Sequence, residues 1–161
     1  MIVLIGFMGA GKTTVGRLLA AALGLPFLDS DHVIEARTGR AIPEIFAADG
    51  EPAFRALEHE VVADLLRGPD VILALGGGAA EHEDTRKLLA AAPVAFLRVS
   101  YDVALGRVSG DGNRPMLARP DLPEVYTRRS AAYELVATTI VDVDDRAPTA
   151  IADQILASLR R

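Results

Sequence analysis

The stretch Ile2-Val3-Leu4-Ile5-Gly6-Phe7-Met8-Gly9-Ala10-Gly11-Lys12-Thr13 decides the architecture. Four apolar residues in succession read as a strand buried on both faces, the habit of a parallel sheet. The next eight match the pattern G-x-x-x-x-G-K-[ST]. A helix is expected from about Lys12 to Leu23, with Val15, Leu18, Leu19, Ala22 and Leu23 on one face at i, i+3, i+4, i+7 and i+8. Gly24 ends it and Pro26 follows. Glycines let the backbone curl so that successive N–H groups point inward, and the helix N-terminus adds partial positive charge. A strand, this turn and a helix together make a cradle for phosphate.

Working outward, short apolar runs alternate with helical patterns. Strands are expected at Ile2–Ile5, Pro26–Leu28, Val71–Leu75, Val94–Val99 and Thr139–Val143. Helices are expected at Asp31–Arg37, from near Pro43, and at Pro52–Leu66, Glu83–Ala91, Asp102–Val108, Leu122–Leu135 and Thr149–Leu159, with Ser100 as an N-cap. This order predicts an α/β fold, a three-layer sandwich of the P-loop NTPase type. Its five-stranded parallel sheet carries helices on both faces. One domain spans 1–161, with a helical insertion at about 31–66 and a lid at about 109–121. Ligands in such folds bind beyond the carboxyl ends of the strands.

Composition excludes several other roles. The net charge is −5 with no basic block, which gives nucleic acid no electrostatic footing. No run approaches the roughly 20 apolar residues of a membrane span. The first residues carry no basic leader or cleavage site, so a cytoplasmic protein is expected. Cysteine is absent, which removes disulfides, thiolate metal sites and cysteine catalysis. Of 17 basic residues only Lys12 and Lys87 are lysines, and Lys12 falls inside the phosphate motif.

That motif places Gly9, Ala10, Gly11, Lys12, Thr13 and Thr14 on the phosphates of ATP. Lys12 reaches the β- and γ-phosphates, and the Thr13 hydroxyl ligates Mg²⁺. The guanine-reading sequence Asn-Lys-x-Asp is missing, since the single Asn113 precedes Arg114. Asp29 and Asp31 end the second strand, expected beside the phosphate loop and on the same side of the extended chain. One would hold the Mg²⁺ shell through water; the other would accept a proton or hydrogen bond from a hydroxyl under attack. Capping by Ser30 or Asp31 is the simpler alternative. Arg55 and Glu58 are i, i+3 and can pair. Gly76-Gly77-Gly78 invites a close approach of ligand to backbone. Gly110-Asp111-Gly112-Asn113-Arg114-Pro115 reads as a lid whose Arg114 closes over the γ-phosphate. Arg128, Arg129 and Arg146 are further candidates.

In this order the pieces resemble shikimate kinase along essentially the whole chain. The loop Gly6–Thr13 is followed by Asp29-Ser30-Asp31, like that family's D-[ST]-D. Thr38-Gly39, Ile45-Phe46, Gly50-Glu51, Phe54-Arg55 and Glu58 come next, then Gly76–Gly78, Arg114-Pro115-Met116-Leu117, Arg129 with Tyr133, and Asp142, Arg146-Ala147-Pro148. The resemblance implies ATP-dependent phosphorylation of the shikimate 3-hydroxyl, with Mg²⁺, by a monomer. It implies that Asp31, Arg55, Gly76, Gly77, Gly78 and Arg129 bind shikimate and that Asp29 sits near the metal through water. Lys12 and Arg114 would hold the transferred phosphoryl, with Asp31 completing the catalytic set. Arg107 and Pro148 would flank adenine, with Arg146 nearby.

Two departures stand out. The segment before Arg129 is about one helical turn shorter than in the family, and R-x-P-L-Y reads here Arg129-Ser130-Ala131-Ala132-Tyr133. Loss of four residues keeps helical phase, so Arg129 can still face the site, with Arg128 as the competing choice. Arg119-Pro120 is extra. Kinases of gluconate or nucleoside monophosphates share the loop, and a non-catalytic nucleotide-binding module is the alternative from a different class.

Overall fold

The computed structural model describes residues 1–109 and 115–159. Five strands, β1 (Ile2–Ile5), β2 (Phe27–Asp29), β3 (Ile72–Ala74), β4 (Val94–Arg98) and β5 (Thr139–Asp142), form one sheet in the order β2-β3-β1-β4-β5. All the pairings are parallel. Every residue of β1 and β3 is buried, so helices cover both faces, as the unbroken apolar runs require. The helices are α1 (Lys12–Leu23), α2 (Ser30–Thr38), α3 (Ile42–Asp49), α4 (Glu51–Arg67), α5 (Glu83–Leu89), α6 (Tyr101–Val108), α7 (Leu122–Val136) and α8 (Pro148–Ser158). This is the three-layer α/β sandwich of the P-loop NTPase type. The main core runs through the sheet. A second, smaller apolar cluster of Ile34, Ile45, Phe54 and Val61 holds α2, α3 and α4 together beside it.

Register explains how the site is assembled. Leu4 of β1 pairs with Ala74 of β3, and Ala74 pairs with Asp29 of β2. These three residues therefore lie on one line across the sheet. Two residues further along each chain come Gly6, Gly76 and Asp31, all emerging at the same carboxyl edge. The sheet order also corrects an expectation: β2 is not next to the phosphate loop, because β3 lies between β2 and β1.

Three local readings differ from expectation. The buried face of α1 is Val15, Gly16, Leu19 and Ala20, while Ala22 is exposed and Leu23 is 44% exposed. The stripe shifts because Gly16 lets the sheet come close: a Cβ there would overlap the Phe27 ring and lie 3.2 Å from Leu4 Cδ1. Helix α2 starts at Ser30, directly after the strand, so Asp29 and Asp31 are not alternate residues of one extended segment. Asp29 itself is the N-cap, its Oδ1 accepting from the Asp31 N–H at 2.9 Å. Ser100 holds the N-cap position of α6, yet its side chain makes no capping bond.

Gly16→Val should therefore destabilise the fold by about 1–3 kcal/mol through overpacking against Phe27. Urea unfolding checks this; a variant as stable as the parent would mean that α1 does not rest on that ring.

Candidate active site

The phosphate loop begins where β1 ends. Gly6, Gly9 and Gly11 have φ of 152°, 76° and 89°, a region that side chains with a Cβ rarely adopt. At Gly9 a Cβ would also lie 2.9 Å from the Ala104 carbonyl oxygen, so the loop is wedged against α6. Gly11 is the N-cap of α1 and offers no capping side chain, and the first turn contains no acid. The start of α1 is thus a place that suits an anion. Thr13 and Thr14 are exposed in that turn. The Lys12 ammonium donates to the carbonyls of Gly6 at 2.7 Å and Phe7 at 3.3 Å, which holds it across the loop. The Ala10 N–H donates to the Phe7 carbonyl at 3.1 Å.

After β3, four charged side chains lie against three consecutive glycines. A Cβ on Gly76 would sit 2.5 Å from Asp31 Oδ1 and 3.0 Å from Glu58 Oε1. One on Gly77 would sit 3.0 Å from Arg129 Nη1, and one on Gly78 would overlap the Arg55 guanidinium. None of the three glycines has a positive φ, so they are required for space rather than for backbone conformation. The shelf is pinned from both sides. The Gly76 N–H donates to Ser30 Oγ at 2.9 Å, and the Tyr133 hydroxyl donates to the Gly77 carbonyl at 2.6 Å.

Arg55 lies one helical turn from Glu58 on α4 and donates to its Oε2 at 2.7 Å. Glu58 is 2% exposed, and burial raises its pKa while Arg55 opposes the rise. Phe46 and Phe54 line the other side of the guanidinium, 5.8 and 5.2 Å from their ring centroids. Arg129 reaches the shelf from α7. Its side chain is 10% exposed against 59% for Arg128, and both donate to Glu81. Arg129, not Arg128, thus faces the glycines. Arg119 forms a two-point ion pair with Asp121, the N-cap of α7, at 2.8 and 2.6 Å.

Asp31 has the most telling electrostatics. Burial, with Asp29 adding to it, pushes its carboxyl up to about 6, although Lys12 and Arg55 pull the other way. Lys12 and Arg55 therefore act on Asp31 from the two halves of the site. It is a carboxylate at neutral pH, poorly solvated and basic for its type.

A second group sits behind the phosphate loop. Arg107 donates to the carbonyls of Gly9 at 3.0 Å, Val143 at 2.8 Å and Asp144 at 2.6 Å, tying the loop to the junction after β5. Pro148 opens α8 nearby and is exposed. Arg146 turns along α8 instead, donating to Gln154 Oε1 at 2.5 Å. Arg114 lies outside the described residues. Sequence reasoning missed Glu81 and Ser30 as members of the site. Nothing in spacing marks Glu81, which sits in a 3₁₀ turn, Ala79–Glu81, that no pattern announced.

The sequence matches the family model of shikimate kinase over residues 8–160. The chain belongs to the shikimate kinase family. It is 47% identical to the shikimate kinase of Mycobacterium avium over 98% of this chain and 92% of that one. It is 43% identical to that of Pseudomonas syringae pv. tomato over 98% and 95%. The solved shikimate kinase from Acinetobacter baumannii in complex with shikimate superposes with a TM-score of 0.92 at 39% identity, covering 99% of this chain and 92% of that one. The activity of this chain is ATP-dependent phosphorylation of shikimate.

Because only the far end of a flexible side chain meets the added atom, Gly78→Ala should move the Arg55 guanidinium and spare the fold. We expect the KM for shikimate to rise about tenfold, as for a lost charged hydrogen bond, with the KM for ATP and the melting temperature little changed. An equal rise in both KM values would contradict this placement of Arg55.

Proposed function

We propose that the chain transfers the γ-phosphoryl of Mg-ATP to the shikimate 3-hydroxyl, with the acceptor lying over Gly76–Gly78 and the nucleotide phosphates in the Gly6–Thr13 loop. The observation that supports it best is the convergence of Asp31, Arg129 and Arg55 on three successive glycines at the carboxyl edge of the sheet. A small acid carrying hydroxyl groups matches that set. Arg55 and Arg129 offer planar forks to its carboxylate, and Asp31 offers an acceptor to its hydroxyl.

Asp31 receives the hydrogen bond of the attacking hydroxyl, orients it along the line to the phosphoryl and takes its proton as the P–O bond forms. Lys12 and the N–H groups opening α1 offset charge on the transferring group, joined by Arg114 from the lid. Arg107 and Pro148 form walls for adenine, with Arg146 at the rim. Thr13 and Asp29 are hard oxygen donors, and no group of three or more acidic or histidine side chains that could hold a metal occurs among the described residues. That sparse set suits Mg²⁺, which keeps most of its waters and takes phosphate oxygens. Thr13 would hold it directly and Asp29 through water, and it would supply positive charge to the nucleotide phosphates.

We read residues 31–66 as the acceptor-binding part of a single domain and 109–121 as its lid. We read the enzyme as a monomer. Dependence on ATP favours the cytoplasm; no helix among the described residues is long and apolar enough to cross a membrane.

Release of ADP from Mg-ATP, measured with shikimate, gluconate and nucleoside monophosphates, tests the substrate. Turnover with shikimate is expected; turnover with another acceptor in its place would overturn the reading.

The Asp31 carboxyl gives two further tests. An acid raised from 3.8 to about 6 in the folded chain binds its proton more tightly folded than unfolded. Stability then falls as pH rises through that window, leaving a penalty of roughly 3 kcal/mol above it. Asp31→Asn should therefore nearly abolish turnover while raising the melting temperature by a few degrees. In the parent enzyme, kcat/KM for shikimate should fall below a midpoint near pH 6. An active Asn variant, or no acid limb near that pH, would remove Asp31 from this role.

A further inference from the structure

Each arginine of the acceptor shelf has a carboxylate behind it. Arg55 has Glu58 on its own helix. Arg129 has Glu81, which belongs to a different element: the 3₁₀ turn immediately after the triple glycine. One Glu81 carboxylate serves two neighbours on α7. Its Oε1 accepts from Arg128 Nε at 2.5 Å and its Oε2 accepts from Arg129 Nε at 2.9 Å. Burial works to raise the Glu81 carboxyl, but the two arginine bonds outweigh it and hold it below the usual range.

The choice of donor atom matters. A guanidinium has five N–H groups, and an incoming carboxylate is best held by two parallel ones. Glu81 takes only the Nε–H of Arg129. The Nη end stays directed at the shelf, where Nη1 lies 3.0 Å from the place a Cβ on Gly77 would occupy. Four residues later on α7, buried Tyr133 donates to the Gly77 carbonyl and fixes the same helix to the same shelf. Arg128 donates an equivalent bond to Glu81 but is turned to solvent. Glu81 thus bridges the shelf to α7, holding two adjacent arginines of which one faces the glycines and the other solvent.

We propose that Glu81 is a positioning residue for recognition of the acid acceptor: it anchors Arg129 through Nε so that its Nη groups meet the acceptor carboxylate, and keeps Arg128 outside. This rests on the reading of Arg129 as a carboxylate ligand. Glu81 touches no reacting atom, so its effect belongs to acceptor affinity rather than to the chemical step.

Steady-state kinetics with Mg-ATP and shikimate on Glu81→Ala, Glu81→Gln, Arg128→Ala, Arg129→Ala and the Glu81→Ala/Arg129→Ala double variant test this. For Glu81→Ala the KM for shikimate should rise about tenfold, the loss expected for one hydrogen bond to a charged group, with kcat and the KM for ATP within about twofold. Glu81→Gln keeps an acceptor for Nε without the charge and should recover most of that loss. Arg128→Ala should stay within about twofold of the parent. In the double variant, Glu81→Ala should add nothing to Arg129→Ala, because both remove the same arm. A lowered or unchanged KM in Glu81→Ala, or an additive double variant, would overturn the proposal. If the alanine variant does not fold, Glu81→Gln decides: a small rise in shikimate KM alone supports the proposal, and equal rises for both substrates overturn it. If Arg129→Ala leaves the shikimate KM unchanged, the reading of Arg129 itself fails, which separates that failure from failure of Glu81 alone.

Discussion

Charged side chains press against a strip of backbone that has no side chains of its own. Asp31 lies over Gly76, Arg129 over Gly77 and Arg55 over Gly78, brought there from three different helices. Nearly everything else in the acceptor half follows from keeping that contact. The strand register brings Gly76 and Asp31 to the same edge. The bond from the Gly76 N–H to Ser30 Oγ locks the start of α2 to the shelf, and the Tyr133 hydroxyl does the same for α7. The small apolar cluster under α2, α3 and α4 sets the base from which Arg55 projects.

The shelf also sets the electrostatic problem that the site must solve. Asp31 and Glu58 both reach toward Gly76, and burial of either is unfavourable for its charge. Arg55 lies between these demands: it pairs with Glu58 and lowers the pKa of Asp31. An anion entering this space would meet two guanidinium groups already held in place. The raised pKa of Asp31 follows from its burial. It is also a cost in stability, the usual exchange at a working site.

Much of this was legible in the chain. The run Ile2–Thr13 carried strand, loop and helix without ambiguity, because the glycines have conformations that only glycine takes readily. The alternation of buried strands and amphipathic helices carried the parallel sheet. Strand order was less accessible, since it depends on which crossovers pack well together; placing β2 beside the loop left out β3. Gly16 misled the reading of α1, since a glycine adds nothing to an apolar stripe yet here marks the closest contact with the sheet. The choice between Arg128 and Arg129 needed the helix rotation that only tertiary packing fixes. Glu81 was invisible because its partners are 47 and 48 residues away on another element.

We propose that one acid molecule lies on the glycine shelf with Asp31, Arg55 and Arg129 around it. A crystal structure of the complex with shikimate and Mg-ADP measures this most directly. The acceptor carboxylate should lie between the Nη groups of Arg55 and Arg129, and its 3-hydroxyl should be within hydrogen-bond distance of an Asp31 carboxylate oxygen, facing the phosphate loop. A carboxylate bound away from both arginines, or Asp31 turned from the hydroxyl, would contradict the assignment.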